Sequence, residues 1–281
     1  MTRVLLIGDT CIDEYRYGTV DRISPEAPVP IFKLNDVECR PGMGGNVQKN
    51  LEAFGLSVHT LFGSESRKTR LIDQRSKQHV LRIDNDIESV PINIGELKND
   101  LKVDAIVISD YCKGYITYEF VEELRKKYKG PIFIDTKKRD LARFDGCIVK
   151  VNEHEFSQRY SICKDIIVTL GSNGAMLKSF KKEDEYFPPY PAEVVDVCGA
   201  GDTFISALVY RYLISGNLNI AIDYANQASS IAVQHSGVYT LKPEDIAETI
   251  FWVANRPAHV NINDILIMSS VQATATIVNR K

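Results

Sequence analysis

The chain has 281 residues, 44% of them apolar and 25% charged, with a formal net charge of −3. That length can bury a sizeable core without disulfide or metal staples. The near balance of charge argues against nucleic acid or an anionic membrane as the main partner, and no apolar run reaches the roughly 18 residues a membrane span needs. A small anionic substrate stays open, because a local basic pocket does not show in a net charge.

The first apolar run, Val4–Ile7, breaks at Gly8-Asp9. It is too short for a signal-peptide core and reads as a buried parallel strand, with the cytoplasm as the expected location. Residues 13–40 follow, rich in Pro and aromatic side chains. Then a glycine cluster, Gly42-Met43-Gly44-Gly45, opens a helix over Asn46–Phe54 that closes at Gly55. Residues 69–88 set Val80, Arg82 and Asp84 among apolar neighbours, so this stretch and 13–40 read as strands of a small second sheet or lid, or as surface hairpins without function.

Four more apolar runs follow, Ala105–Ile108, Ile132–Ile134, Cys147–Val151 and Ile166–Leu170, with an amphipathic helix over Tyr118–Lys129 between the first two. The runs end on Ser109-Asp110, Asp135-Thr136, Asn152-Glu153 and Gly171-Ser172. Strands alternating with helices predict an α/β fold with a parallel sheet covered on both faces. Ligands bind such sheets beyond the carboxyl ends of the strands, so these polar ends are where chemistry is expected. The six cysteines form no C-x-x-C pair and have no His near them; most lie in apolar runs and are expected to be buried, reduced thiols.

The strongest chemical signal is Asp196-Val197-Cys198-Gly199-Ala200-Gly201-Asp202-Thr203, with an amphipathic run after it. Small residues at a helix start leave backbone N–H groups accessible, and these donors together with the helix dipole suit phosphate oxygens. A carboxylate there would repel the anion, so Asp202 makes sense as a general base beside a transferring phosphoryl group. The plain alternative is a helix start with an acidic residue in its first turn.

This segment resembles the C-terminal signature of the ribokinase-like carbohydrate kinases, D-T-x-G-A-G-D, with Val197 in the usual Thr position. The resemblance implies a three-layer αβα sandwich with a small β lid, spanning about residues 1–241. It implies Asp202 as catalytic base and the amides of Gly199, Ala200 and Gly201 as an anion hole. Gly44, Gly45 and Asn46 match the first signature, whose glycines and Asn face the sugar, and Gly8 to Asp13 matches the first strand end, where Asp9 and Asp13 would bind sugar hydroxyls. Asn152-Glu153-His154-Glu155 matches the N-x-x-E motif, giving Asn152 and Glu155 a part in handling Mg²⁺ and phosphate, Glu155 through water. Thr169, Gly171 and Gly174 belong to a T-x-G-x-x-G nucleotide-side turn, and Asn226, in a helix over Ala221–Gln234, falls where the adenine pocket is expected. ATP and Mg²⁺ are the implied cofactors, with Asp196 near a possible K⁺. The partner is a small sugar or sugar phosphate, and a homodimer through the lid is compatible with the family.

Within the family, Asp21–Pro30, Arg40-Pro41-Gly42 and Ser109-Asp110-Tyr111-Cys112-Lys113-Gly114 resemble the D-β-D-heptose 7-phosphate kinases. That resemblance implies Asp110 at the sugar and D-glycero-D-manno-heptose 7-phosphate as acceptor, phosphorylated to the 1,7-bisphosphate. Arg40, Arg82 and Lys113 are the cations available for the sugar's own phosphate, with solvated surface charges as the alternative for Arg82 and Lys113. The chain departs from these relatives in two places. After Gly63-Ser64 it lacks a helix and strand, and residues 242–281, including Arg256-Pro257-Ala258-His259, resemble the end of a short-chain dehydrogenase. No dinucleotide turn accompanies that tail, so nicotinamide chemistry is not expected. The competing readings are another sugar kinase, of ribose or fructose type, and a degenerate kinase fold kept for binding or assembly.

Overall fold

The computed structural model describes residues 2–97, 100–179, 183–235 and 240; the tail 242–281 lies outside them. Ten strands form one sheet in the order β10-β9-β8-β7-β6-β5-β1-β3-β4, with β2 paired to β1. The strands are β1 (Arg3–Ile23), β2 (Pro30–Met43), β3 (Ser57–Asp73), β4 (His79–Asn85), β5 (Ala105–Asp110), β6 (Ile132–Thr136), β7 (Ile148–Asn152), β8 (Asp165–Thr169), β9 (Ala175–Ser179) and β10 (Glu185–Phe187). The five helices among the described residues are α1 (Gly44–Ala53), α2 (Tyr118–Lys127), α3 (Glu153–Ser157), α4 (Ala200–Ser215) and α5 (Leu218–Ala232).

The body of the sheet is apolar on both faces, because successive side chains of a strand point to opposite sides and both sides are covered. Val4 and Leu6 of β1, Val107 of β5 and Phe133 of β6 pack with α1, α4 and α5. Leu5, Ile7, Ile106, Ile108 and Ile134 face the other way, onto Phe120, Val121 and Leu124 of α2. This is the α/β layering that the alternation of elements predicts. No described helix is long and apolar enough to cross a membrane.

Some boundaries differ from expectation, among them α5, which spans Leu218–Ala232 rather than Ala221–Gln234. β1 does not end at Gly8-Asp9 but runs on to Ile23, 21 residues in all. It pairs with β5 over Val4–Gly8 and then passes to β2 from Thr10 onward, so the sheet splits at this point. β3 is likewise continuous from Ser57 to Asp73, lying parallel to β1 in the body and beyond it. The short stretch after Ser64 is therefore strand throughout, and two strands carry the sheet into a four-stranded extension, β2-β1-β3-β4. Another difference is at α2, which ends at Lys127 rather than Lys129: Tyr128 takes an extended backbone, and its hydroxyl donates to the Val103 carbonyl at 3.1 Å. Of the cysteines, Cys11, Cys147 and Cys163 are buried, but Cys39, Cys112 and Cys198 are exposed, because they lie on the extension or in loops beyond the strand ends.

Candidate active site

Asp202 stands in the first turn of α4, where Gly199 forms the N-cap in a left-handed conformation (φ 79°) that glycine adopts without penalty. The amide of Ala200 makes a long hydrogen bond to the Val197 carbonyl (3.3 Å), whereas those of Gly199 and Gly201 have no protein acceptor among the described residues. The Asp202 carboxylate is buried and held from two sides. Asn46 of α1 donates to Oδ2 at 2.7 Å, and the Tyr111 hydroxyl donates to Oδ1 at 3.1 Å. Asn46 is itself steadied by Asn50, whose amide donates to the Asn46 carbonyl and side-chain oxygens at 3.0 and 3.2 Å. Burial pushes the Asp202 carboxyl up to about 6 against the opposing pull of Asn46, with Asp135 pushing the same way and Lys150 and Tyr111 against. A carboxylate that titrates just below neutrality suits a general base.

Two cavities meet at Gly201. The smaller, about 190 Å³, is lined by Asp110, Tyr111, Asp135, Lys137, Lys150, Asn152, Glu155, Gly199, Gly201 and Asp202. The larger, about 610 Å³, has mostly apolar walls and takes in Thr169, Gly171, Gly174, Ala200, Gly201 and Asn226. Asn226 donates to the Pro188 carbonyl at 2.6 Å. Asn152 and Glu155 bracket the start of α3 reciprocally: each side-chain oxygen accepts from the other's backbone N–H at 2.8 Å. The Glu155 carboxyl is raised, chiefly by burial and also by Asp135.

On the other side of Asp202 the sheet splits. Asp9 sits at the split, buried, and its Oδ2 accepts from the amides of Tyr111 (2.8 Å) and Lys113 (3.1 Å). Its carboxyl is raised by burial, with Asp110 adding to the rise. Asp110 is occupied in a similar way, accepting from the Cys112 amide (3.0 Å), the Thr136 hydroxyl (2.7 Å) and Lys138 (3.3 Å). Both acids thus shape the loop that presents Tyr111. Asp13 lies further out on β1, ion-paired with Arg70. Gly42 faces it so closely that a Cβ there would meet the Asp13 carboxylate at 2.2 Å. Gly44 and Gly45 start α1 beside Asn46 and are buried.

Register places Asp13, Arg40, Lys68, Arg70 and Arg82 on one face of the extension. Cys11 on that face feels the charge of Asp202, so it is the face turned to the start of α4. Arg40 and Arg70 each lie 5.3 Å from the Tyr15 ring centroid. Arg40 is paired with Glu38 at 2.6 Å, and Arg82 with Asp84 at 2.7 Å. Lys113 is not with them; its ammonium is on Asp86 at 2.5 Å. Asp196 accepts from the Cys198 amide at 2.9 Å.

Several residues of this site escape the sequence reading: Tyr111 as a partner of Asp202, Asn50, Arg70, Lys137, and the buried pair Lys150–Asp135 at 2.8 Å. Lys150 did carry a signal. A lysine inside an apolar parallel strand needs a buried counter-charge, and the end of the neighbouring strand supplies one.

Residues 147–245 match the model of the pfkB family carbohydrate kinases. The bifunctional protein HldE of Aliivibrio salmonicida is 32% identical over 324 residues, covering 96% of this chain and 67% of that protein. The chain belongs to the pfkB family. It spans 63% of the length of the Photorhabdus laumondii bifunctional protein HldE, at 30% identity. Among solved structures, phosphofructokinase-2 from Escherichia coli, crystallised in complex with potassium, superimposes with a TM-score of 0.69 at 16% identity, covering 91% of this chain and all of that one. Ribokinase from Arabidopsis thaliana, complexed with ribose and ATP, gives 0.67 at 15%, covering 88% and 98%. The fold of this pfkB member is thus ribokinase-like.

Proposed function

We propose that this protein transfers the γ-phosphoryl group of ATP to a hydroxyl of a phosphorylated sugar, with D-glycero-D-manno-heptose 7-phosphate, converted to the 1,7-bisphosphate, as the acceptor. The observation that carries the kinase chemistry is the meeting of the two cavities at Gly201, with Asp202 in the next position. The larger cavity suits an adenine and ribose, with Asn226, Thr169, Gly171 and Gly174 in its wall. The phosphates would then run along the start of α4, where Gly199 and Gly201 offer free amides in line with the helix dipole. Asp202 takes the proton of the acceptor hydroxyl as that oxygen bonds to phosphorus, and Asn46 and Tyr111 fix the direction in which the carboxylate accepts.

Mg²⁺ fits the small cavity, where Glu155, Asp110 and Asp135 provide hard oxygen donors, although among the described residues no three carboxylates or other ligands stand close enough to form a ligand cluster. That arrangement suits an ion that keeps its water shell and is held through water by Glu155 and Asn152. When bound, the ion neutralises charge on the phosphates. Asp196, whose carboxylate braces the loop before α4, is the residue proposed for K⁺.

For the acceptor, the cationic inner face of the extension favours a substrate that carries its own phosphate. Arg40, Arg70 and Arg82 share that face with Asp13, which would take sugar hydroxyls, and Asp9 and Asp110 support the loop beneath. The outer face exposes Val37, Leu81 and Ile83, which supports a homodimer formed through the extension. A coupled ATP-consumption assay over a panel of sugars and sugar phosphates tests the proposal. Turnover of heptose 7-phosphate well above that of ribose and fructose is expected; good turnover of free sugars alone would rule out the sugar-phosphate acceptor and leave the kinase chemistry standing.

A further inference from the structure

The small cavity beside Asp202 has an uneven charge. Four carboxylates line it, Asp110, Asp135, Glu155 and Asp202, and two lysines, Lys137 and Lys150. Asp135 is neutralised by Lys150, and Asp110 by Lys138 from outside the cavity. Lys150 is almost fully buried; its ammonium is paired with Asp135, also feels Glu155 and Asp202, and lies against Gly201. Lys137 differs. It is exposed, and among the described residues it makes no ion pair. The Lys137 backbone N–H is anchored on the Asp110 carbonyl (3.2 Å), and its ammonium lies 4.6 Å from the centre of the Tyr111 ring, the same ring whose hydroxyl binds Asp202. An aromatic face holds a cation without neutralising it.

A phosphoryl group passing from nucleotide to acceptor crosses this cavity as an anion, between two carboxylates that repel it, Asp202 and Glu155. We propose that Lys137 is a catalytic residue whose ammonium binds the oxygens of the transferring phosphoryl group, with Tyr111 as the platform that aims it. The inference rests on the kinase reading above. In the step, the acceptor oxygen bonds to phosphorus while the bond from phosphorus to the ADP oxygen breaks and ADP keeps that electron pair. The acceptor proton goes to Asp202, and Lys137 stays protonated throughout. Its contribution is charge placed where charge passes, which acts in the transition state more than in the ground state.

The test compares wild type, Lys137→Met and Lys137→Arg in steady-state assays and in binding of ADP with and without aluminium fluoride, a planar mimic of the transferring group. The position is exposed, so unchanged thermal unfolding is expected and is measured alongside. Lys137→Met should lower kcat by about 10²-fold with KM for either substrate within about threefold. It should lose affinity for ADP–aluminium fluoride by a similar factor and bind ADP alone normally, and Lys137→Arg should recover part of both. Wild-type kcat in Lys137→Met, or a loss confined to the acceptor's KM, overturns the assignment. If the wild-type protein phosphorylates no sugar or sugar phosphate of the panel, the kinase reading itself fails first and takes this inference with it.

Discussion

The sheet is one structure with two characters. In the body, β1, β5 and β6 are buried on both faces and built of Val, Leu, Ile and Phe; in the extension, β2, β4 and the outer halves of β1 and β3 carry Arg, Lys, Asp and Glu, and much of their surface is exposed. The strands pass from one to the other without a break, at Gly8 to Thr10, where β1 leaves β5 for β2. The body holds its shape by packing, so it can fix the start of α4 and the Asp202 carboxylate. The extension has little apolar burial of its own and spends its side chains on charge. On the proposed function the contrast separates positioning from recognition: changes at the body's candidate catalytic edge should act on rate, changes in its core on stability, and changes in the extension on substrate affinity.

The largest effect should come from Asp202→Asn. The side chain keeps its size but cannot take a proton, and removal of a general base costs on the order of 10²–10⁴ in rate. ATP binding should stay nearly intact, since the larger cavity, proposed for the nucleotide, is lined by other residues. Wild-type kcat/KM should fall as pH drops through about 6, the value to which burial pushes this carboxyl. Stability should move oppositely. A carboxyl raised above its unfolded value of about 4 lets the native state bind the extra proton, so its cost is fully present above pH 6 and is relieved between 6 and 4. Asp202→Asn should therefore be more stable than wild type at pH 8, by roughly 1–3 kcal/mol, and the gap should narrow below pH 6 and close by about pH 4. An inactive variant with unchanged stability would show that Asp202 is not held at the predicted cost.

Next in size is a matched pair of truncations on the same sheet. Phe133 is fully buried on β6, edge-on to Tyr212 with centroids 5.4 Å apart. Phe133→Ala should cost about 3–5 kcal/mol. Leu81, 53% exposed on β4, should cost within about 0.5 kcal/mol when cut to Ala. Urea unfolding of both variants measures the difference; similar losses would mean the extension is packed against a partner, as a dimer through its outer face would require.

Much of the body was legible because burial on both faces writes continuous apolar runs, and Val4–Ile7, Ala105–Ile108 and Ile132–Ile134 all lie inside strands of the sheet. Asp202 and its glycines stood out for a local reason, since an open helix start needs small residues. The extension was harder. Its strands alternate charged with apolar residues in a pattern that surface hairpins share, and nothing in Ser57–Asp73 marks where the body ends. Arg70 and Tyr111 reach their partners across 57 and 91 residues of sequence. Such pairs are properties of the register, which a reading of local pattern does not reach.

The cations expected at the sugar's phosphate divide in a way that sharpens the comparison. Arg40 lies on the inner face over Tyr15, whereas Lys113 is committed to Asp86. Arg40→Met should raise KM for a sugar phosphate by about 10-fold or more while leaving a neutral analogue nearly unaffected, because only charge-assisted bonds to phosphate are lost. Lys113→Met should do less. Equal effects, or an effect of Arg40→Met on the neutral sugar, would move the phosphate subsite away from Tyr15.

The smallest effect lies at the junction of the two regions. Met43, between β2 and α1, has φ 53° and ψ −130°, a backbone conformation that a residue with a Cβ adopts only under strain. It is held there because Gly42 must lie against Asp13 while Gly44 and Gly45 turn into the helix that carries Asn46 to Asp202. Replacing Met43 outright would confuse that strain with lost packing, since its side chain is buried. Comparing Met43→Gly with Met43→Ala removes the side chain in both and leaves only the Cβ. At an ordinary position Gly is the less stable of the two by roughly 0.5–1 kcal/mol. Here the order should reverse, with Met43→Gly the more stable by about 1–2 kcal/mol, because the glycine relieves the strain that Ala retains. Denaturant midpoints of the two variants decide it. If Ala is the more stable, the turn into α1 relaxes without cost, and Asn46 is held by its contacts to Asn50 and Asp202 rather than by the backbone that delivers it.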